Sequence, residues 1–241
     1  MAKENTMKLK AGYIGINCPE PVIYNRLLPL DNKHIVELGC GYAHKTRDIA
    51  TSGVNRTITA LEVDGTAHES NLQLDDLPNV RFMLSGAQAI PLDDECADIV
   101  IMFKSLHHVP VELMEPSIRE IRRVLKPGGL AYISEPVYAG DFNEILSLFG
   151  DEQAVRKAAF DAIKNAVEAG MFALVEQVFF NTPRRFESFA EFEDSVINAS
   201  HSQHSLDEKL FRRVRSLFET HLGDDGAMFW TPVRVDLIRK Q

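Results

Sequence analysis

The chain has 241 residues, 45% of them hydrophobic and 25% charged, with a formal net charge of −9; it is globular in composition and sized for one α/β domain plus an elaboration. The acidic balance argues against a nucleic-acid partner, since phosphate backbones are met by clustered Lys and Arg. No run of about 18 apolar residues is present to span a bilayer, the first five residues lack the apolar centre of a signal peptide, and the scattered Cys18, Cys40 and Cys96 fit free thiols in a reducing cytoplasm.

Residues 1–33 read as a polar start followed by a loop and a short helix, with Val22, Ile23, Leu27 and Leu28 as its apolar face. From 34 to 136 strands and helices alternate. The strands, at 35–38, 57–62, 80–84, 97–103 and 130–134, are short apolar runs with little alternation, as expected of a parallel sheet buried on both faces. Ile118, Ile121, Val124 and Leu125 mark one face of the last helix, which Lys126-Pro127-Gly128-Gly129 should stop. Beyond it, 142–149 and 152–169 read as helices, 172–180 as a strand, and 189–199 and 206–221 as helices. In the final strand, at 228–238, Val233, Val235 and Leu237 alternate with Arg234, Asp236 and Arg239, the pattern of an antiparallel strand near a sheet edge. The expected fold is α/β, doubly wound, with a mostly parallel seven-stranded sheet. One domain is expected, divided into an N-terminal lid segment (1–33), a cofactor-binding core (34–136), a helical cap inserted after strand five and carrying a sixth strand (137–222), and a final strand (223–241).

The most informative stretch is Ile35-Val36-Glu37-Leu38-Gly39-Cys40-Gly41-Tyr42-Ala43. An apolar strand enters a glycine turn and a helix follows, an arrangement that lets a nucleotide-like ligand approach bare backbone beside a helix N-terminus. The second strand ends in Glu62, 25 residues after Glu37, where a carboxylate can accept both hydroxyls of a ribose. Asp64 is its rival for that role, less favoured because Glu62 directly ends the apolar run.

Glu37-Leu38-Gly39-Cys40-Gly41 resembles the first motif of class I S-adenosylmethionine-dependent methyltransferases. Further blocks follow in that family's order: Glu62; Ser85-Gly86-Ala87-Gln88-Ala89-Ile90-Pro91; Asp98 to Phe103 running into Leu106-His107-His108-Val109; and Arg119 to Gly129. The likeness covers roughly residues 30–136 and is closest to the small-molecule, quinone and sterol methyltransferases. It implies S-adenosylmethionine as cofactor, with its methionine end against Glu37, Gly39, Cys40 and Gly41, and its ribose on Glu62. The adenine then lies near Val63, Gly86, Ala87 and Gln88, and the amino group on the backbone at Phe103 and Lys104. Two positions depart from the family pattern. Ala43 stands where a third glycine is common, a position read as needing smallness, and Gly86 stands where many relatives have an Asp for the adenine amino group, leaving Gln88 or backbone to compensate.

For the methyl acceptor, His107 and Glu135 are the candidate catalytic residues and Tyr13, Tyr138 and His201 the candidate substrate contacts. His108 reads as packing. His201-Ser202-Gln203-His204 lacks a carboxylate or Cys in matching register, so no metal is expected. Arg184-Arg185 could grip an anion. The nine phenylalanines between 142 and 192 suit a lid that excludes water, with a homodimer through the same helices as their other use. The expected function is methyl transfer to a small organic molecule. A catalytically silent cofactor-binding module, or a tRNA or protein methyltransferase, is the alternative.

Overall fold

Five strands, β1 (His34–Leu38), β2 (Thr57–Glu62), β3 (Val80–Leu84), β4 (Ala97–Phe103) and β5 (Leu125–Pro136), pair in parallel in the order β3-β2-β1-β4-β5. The computed structural model describes residues 6–198 and 206–241. Strands β1 and β4 are buried almost throughout, which is why they lack alternation. Right-handed crossovers bring the carboxyl ends of all five strands to one rim. The crossovers run through α2 (His44–Thr51), α3 (Gly65–Asn71) and α4 (Val111–Val124), while α1 (Glu20–Leu27) precedes β1. The apolar stripe of α4, Met114, Ile118, Ile121 and Val124, is buried against the sheet at helical spacing. That helix ends at Val124, and the Lys-Pro-Gly-Gly segment expected to be its stop is already part of β5.

Beyond β5 come α5 (Asp141–Leu146), α6 (Gln153–Glu168), the 15-residue β6 (Phe172–Phe186), α7 (Phe189–Phe192) with a π turn at Glu193–Ile197, α8 (Glu208–Glu219), β7 (Leu222–Gly223) and the 15-residue β8 (Gly226–Lys240). β8 lies antiparallel between β5 and β6. The sheet therefore has eight strands rather than the expected seven. The extra one, β7, forms a hairpin with β8 across Asp224-Asp225, and two residues offer no periodicity to read.

The cap also differs from expectation. Helix α6 belongs to the main layer, where Ala159, Phe160, Ile163 and Ala166 join α4 in the core under the sheet. The cap proper is α5, α7, α8 and the distal halves of β6 and β8. It has its own core of Phe142, Phe186, Phe189, Phe192, Phe218 and Phe229 with aliphatic neighbours. Edge-on ring contacts such as Phe186–Phe192, with centroids 5.4 Å apart, pack it. Phe160, Phe172 and Phe180 instead fill the cores on either side of the sheet.

β8 carries a buried charge pair that reaches β6 through Gln177. Arg234 Nε donates to Asp236 Oδ2 at 2.7 Å, Gln177 Nε2 donates to Asp236 Oδ1 at 2.6 Å, and the guanidinium lies 4.7 Å from the Phe160 ring centroid. Burial pushes the Asp236 carboxyl up while Arg234 pulls against it. Removing one member strands the other in a dry interior. Arg234→Leu is expected to lower the unfolding free energy by about 3–5 kcal/mol in urea titrations, and the Arg234→Leu/Asp236→Leu double variant to lose much less. A single-variant loss below about 1 kcal/mol would show the pair behaving like an exposed one.

Candidate active site

The glycine turn after β1 is held from two sides. Gly39 N and Cys40 N both donate to Leu61 O, at 2.9 and 3.1 Å, and Ser105 Oγ donates to Leu38 O at 2.8 Å. Gly39 has φ +75°, and a Cβ there would sit 2.7 Å from Ser105 Cβ; no other residue fits. Gly41, at φ +54°, faces open space instead. Ala43 caps α2 in the left-handed region at φ +60°. The position therefore calls for positive φ and not just smallness, and alanine there costs about 1–2 kcal/mol.

The Glu62 carboxylate accepts from Gly41 N at 2.6 Å, Val63 N at 2.8 Å and Asp64 N at 3.0 Å. Asp64, its rival in the sequence, is committed elsewhere: its carboxylate caps α3 through Thr66 N and Ala67 N. Apolar surface lies open around Glu62, with Val63 and Leu84, its register partner on β3, 69% and 58% exposed. Ser85 N donates to Glu62 O, tying the next loop to the same point. In that loop Ala87 is buried, and the Gln88 amide folds over Gly86, its oxygen 2.2 Å from where a Cβ at 86 would be. Gln88 thus occupies the space a side chain at 86 would need. An open glycine, a gathered carboxylate and bare apolar flanks fit a nucleoside.

Below the turn, Glu37 is buried and accepts a 2.7 Å hydrogen bond from Thr46 Oγ1. Burial pushes its carboxyl up to about 7, against the opposing pull of Thr46 and Lys45. The Cys40 thiol is buried too, toward Asn71, and burial raises it. Only the backbone of Cys40 belongs to the turn. Phe103 packs its ring between Tyr24 and Tyr132, at 5.7 Å from each, leaving its backbone at the strand end.

Beside this cleft lies a cavity of about 410 Å³. Lys45 and Lys104, which follow the glycine turn and β4, stand in its wall with His107, His108, Phe142 and Glu152. His107 Nδ1 meets Glu135 Oε2 at 2.5 Å, and Leu106 N donates to Glu135 Oε1 at 2.9 Å. Burial alone would raise the Glu135 carboxyl, but His107, Arg234 and the Leu106 amide together hold it below the usual carboxylate range. With Nδ1 facing Glu135, His107 Nε2 is left on the Glu152 side, 3.9 Å from Oε2. Glu135, expected with His107 as a catalytic residue, is wholly buried behind His107 and is absent from the cavity wall.

The other expected contacts are dispersed. Tyr13 is 87% exposed, in a segment that runs along the outer edge of β6 through Asn17 and Asn181, and is no part of the cavity. Tyr138 lines a smaller, adjoining pocket of about 160 Å³, with the Arg156 guanidinium 6.0 Å from its ring centroid. His201 lies outside the described residues. Two pairs in the cavity wall were missed. Lys104 Nζ donates to the buried Glu20 Oε2 at 2.5 Å, and Arg156 Nη2 donates to Glu152 Oε2 at 2.6 Å. In sequence, an acid at a helix start and an i,i+4 pair both read as solvated surface. Among the described residues, His107, His108 and Glu152 bring ligand-type atoms within 4.8 Å of one another. Arg156 already holds that carboxylate and sets a fixed positive charge beside it.

A parallel sheet whose rim carries a glycine turn, a carboxylate at the end of the second strand and a neighbouring cavity, closed by an antiparallel strand pair, is a Rossmann-like methyltransferase fold. Residues 36–133 match the family model described as a methyltransferase domain. The chain is 26% identical over 141 residues to a sterol 4-C-methyltransferase of Caenorhabditis elegans, covering 57% of this chain and 40% of that protein. It is 27% identical over 187 residues to a "Probable S-adenosylmethionine-dependent methyltransferase" of Mycobacterium tuberculosis, covering 74% and 63%. The matched stretches thus span less than two thirds of either relative. The YcgJ protein of Bacillus subtilis superposes with a TM-score of 0.64 at 15% identity, covering 91% of this chain and 97% of that one. The family-model match, the relatives and the shared fold support a class I S-adenosylmethionine-dependent methyltransferase that takes S-adenosylmethionine as its cofactor.

Glu37 gives the cleft a measurable signature. Its folded pKa lies above the ordinary value of 4.5, so the folded state holds a proton that the unfolded chain releases. Stability contributed at low pH is therefore lost as pH rises from about 4.5 to about 7, and the penalty is complete above that. Glu37→Gln should be more stable than the parent at pH 8 by on the order of 3 kcal/mol, a gap that closes toward pH 5. A gap independent of pH would show that Glu37 ionises at its ordinary value.

Proposed function

We propose that the protein transfers a methyl group from S-adenosylmethionine to a small organic acceptor bound in the cavity beside His107. The observation that carries this reading is His107, backed by the buried Glu135, in the wall of a cavity bordered by Lys45 and Lys104 just beyond the glycine turn and β4. In this reading Glu62 takes the ribose hydroxyls, and Val63, Leu84, Ala87 and Gln88 receive the base over Gly86. Glu37, the turn Gly39-Cys40-Gly41 and the backbone of Phe103 and Lys104 receive the amino-acid end. The cofactor supplies a methyl carbon already activated by a positively charged sulfur.

The protein's own contribution is then mostly alignment. Holding the nucleophile in line is worth up to about 7–11 kcal/mol. A nucleophile that arrives protonated gives its proton to His107 Nε2, a contribution of about 10²–10⁴-fold. Glu135 fixes the tautomer with Nδ1–H and steadies the imidazolium that results. The cap keeps water from the reacting centre. A catalytically silent module would bind the cofactor equally well, so only turnover separates the two readings.

The test has two parts. Calorimetry with S-adenosylhomocysteine should show binding, and Glu62→Ala should weaken it by about 1.5–3 kcal/mol, the scale for hydrogen bonds to a charged group. Full affinity in that variant would place the ribose elsewhere. A metabolite screen with methyl-labelled cofactor should then yield an acceptor on which His107→Gln loses about 10²–10⁴-fold in kcat with cofactor affinity unchanged. Glu135→Gln should lower kcat and alter its pH profile, since it acts through His107. Wild-type turnover in His107→Gln would remove the base from the mechanism.

A further inference from the structure

The distal halves of β6 and β8 continue past Pro136, where β5 ends. Alternation along β6 puts Thr182, Arg184 and Phe186 on one face, and their register partners on β8 are Thr231, Phe229 and Ala227. Phe186, Phe229 and Ala227 are buried in the aromatic core of the cap, whereas Thr182, Arg184 and Thr231 line the cavity. The Arg184 guanidinium carbon lies 4.4 Å from the Phe142 ring centroid and 5.3 Å from that of Phe186.

Among the described residues Arg184 has no hydrogen-bond or ion-pair partner. Of the three other cations in this wall, Arg156 is paired with Glu152 and Lys104 with Glu20, and the third, Lys45, stands at the glycine-turn end. Arg184 is exposed toward the opening of the cavity, while its packing on the two rings desolvates part of the guanidinium and pulls its pKa down. A second polar group nearby is unanswered. The Thr231 hydroxyl, diagonally across the ribbon from Arg184, is buried without a hydrogen-bond partner. An unpaired guanidinium fork on an aromatic bed, with a hydroxyl donor beside its path, is a receptor for a planar anion.

We propose that Arg184 and Thr231 form a carboxylate-binding subsite, and that the methyl acceptor is an apolar or aromatic carboxylic acid. Its carboxylate sits on the Arg184 fork, its body lies against Phe142, and its nucleophilic atom points toward His107. A carboxylate is favoured over a phosphate because a single fork matches a single planar anion. That the bound acid is the acceptor rests on the methyltransferase reading; the subsite itself does not.

The experiment titrates the full chain, with and without S-adenosylhomocysteine, with three probes: 3-phenylpropionate, 3-phenylpropanamide and 2-phenylethyl phosphate. The acid should bind at least about tenfold more tightly than the amide. Arg184→Met, which keeps the packing on Phe142, should abolish that preference, and Arg184→Lys should retain part of it. Equal binding of acid and amide by the parent chain, which needs no variant, would overturn the proposal. So would an undiminished preference in Arg184→Met, or tighter binding of the phosphate than of the acid. Failure of S-adenosylhomocysteine to bind strikes the methyltransferase reading instead, because the preference of acid over amide is read without turnover.

Discussion

Because β8 runs antiparallel between β5 and β6, its first residues emerge at the same rim where the parallel strands finish. Every later feature of the site follows from that reversal. The rim would otherwise end in loops; here a two-stranded ribbon overhangs it and supplies a wall of fixed side chains. The same strand anchors the wall. Arg234 is the register partner of Glu135 and is paired with Asp236, so the charge that helps keep Glu135 ionised is set by backbone pairing and not by a mobile side chain. From Asp236 through Arg234 and Glu135 to His107, the ribbon and the cavity wall share one buried run of polar groups.

The cleft itself separates two acids by environment. Glu62 accepts hydrogen bonds from three backbone N–H groups. Glu37, only strands away, has one hydroxyl donor in a dry pocket and holds its proton toward neutrality. Two ionised carboxylates at one glycine turn would repel each other. Burying one of them removes most of that cost until a positive ligand group arrives to favour ionisation.

The parallel core was legible in the sequence because its signals are local. Short apolar runs, glycines at a turn and an acid ending a strand each report the conformation of their own few residues. Glu62 was preferred to Asp64 as the acid for a ribose, and in the fold Asp64 is engaged in capping α3, an interaction that the sequence did not display. What was not legible depends on pairing at long range. Glu20 and Lys104 are 84 residues apart, and nothing near either one signals the other. Glu135 looked like a rim residue by position, yet the side-chain alternation of β5 turns it inward to His107. The phenylalanines of the cap suggested a lid or an interface; in the structure most of them satisfy one another. The role of Ala43 was misread because a residue's size is visible in sequence and its φ angle is not.

The separateness of the cap core bears on how such a protein changes over generations. The match to the family ends at residue 133, before the overhanging ribbon and before the cap. Phe142, Phe186, Phe192, Phe218 and Phe229 pack on each other and leave the two cores flanking the sheet intact without them. Substitutions in the cap can therefore accumulate, and the cavity it roofs can be reshaped, under selection that never tests the glycine turn. A chain built on this plan can vary its cap while the glycine turn stays unaltered.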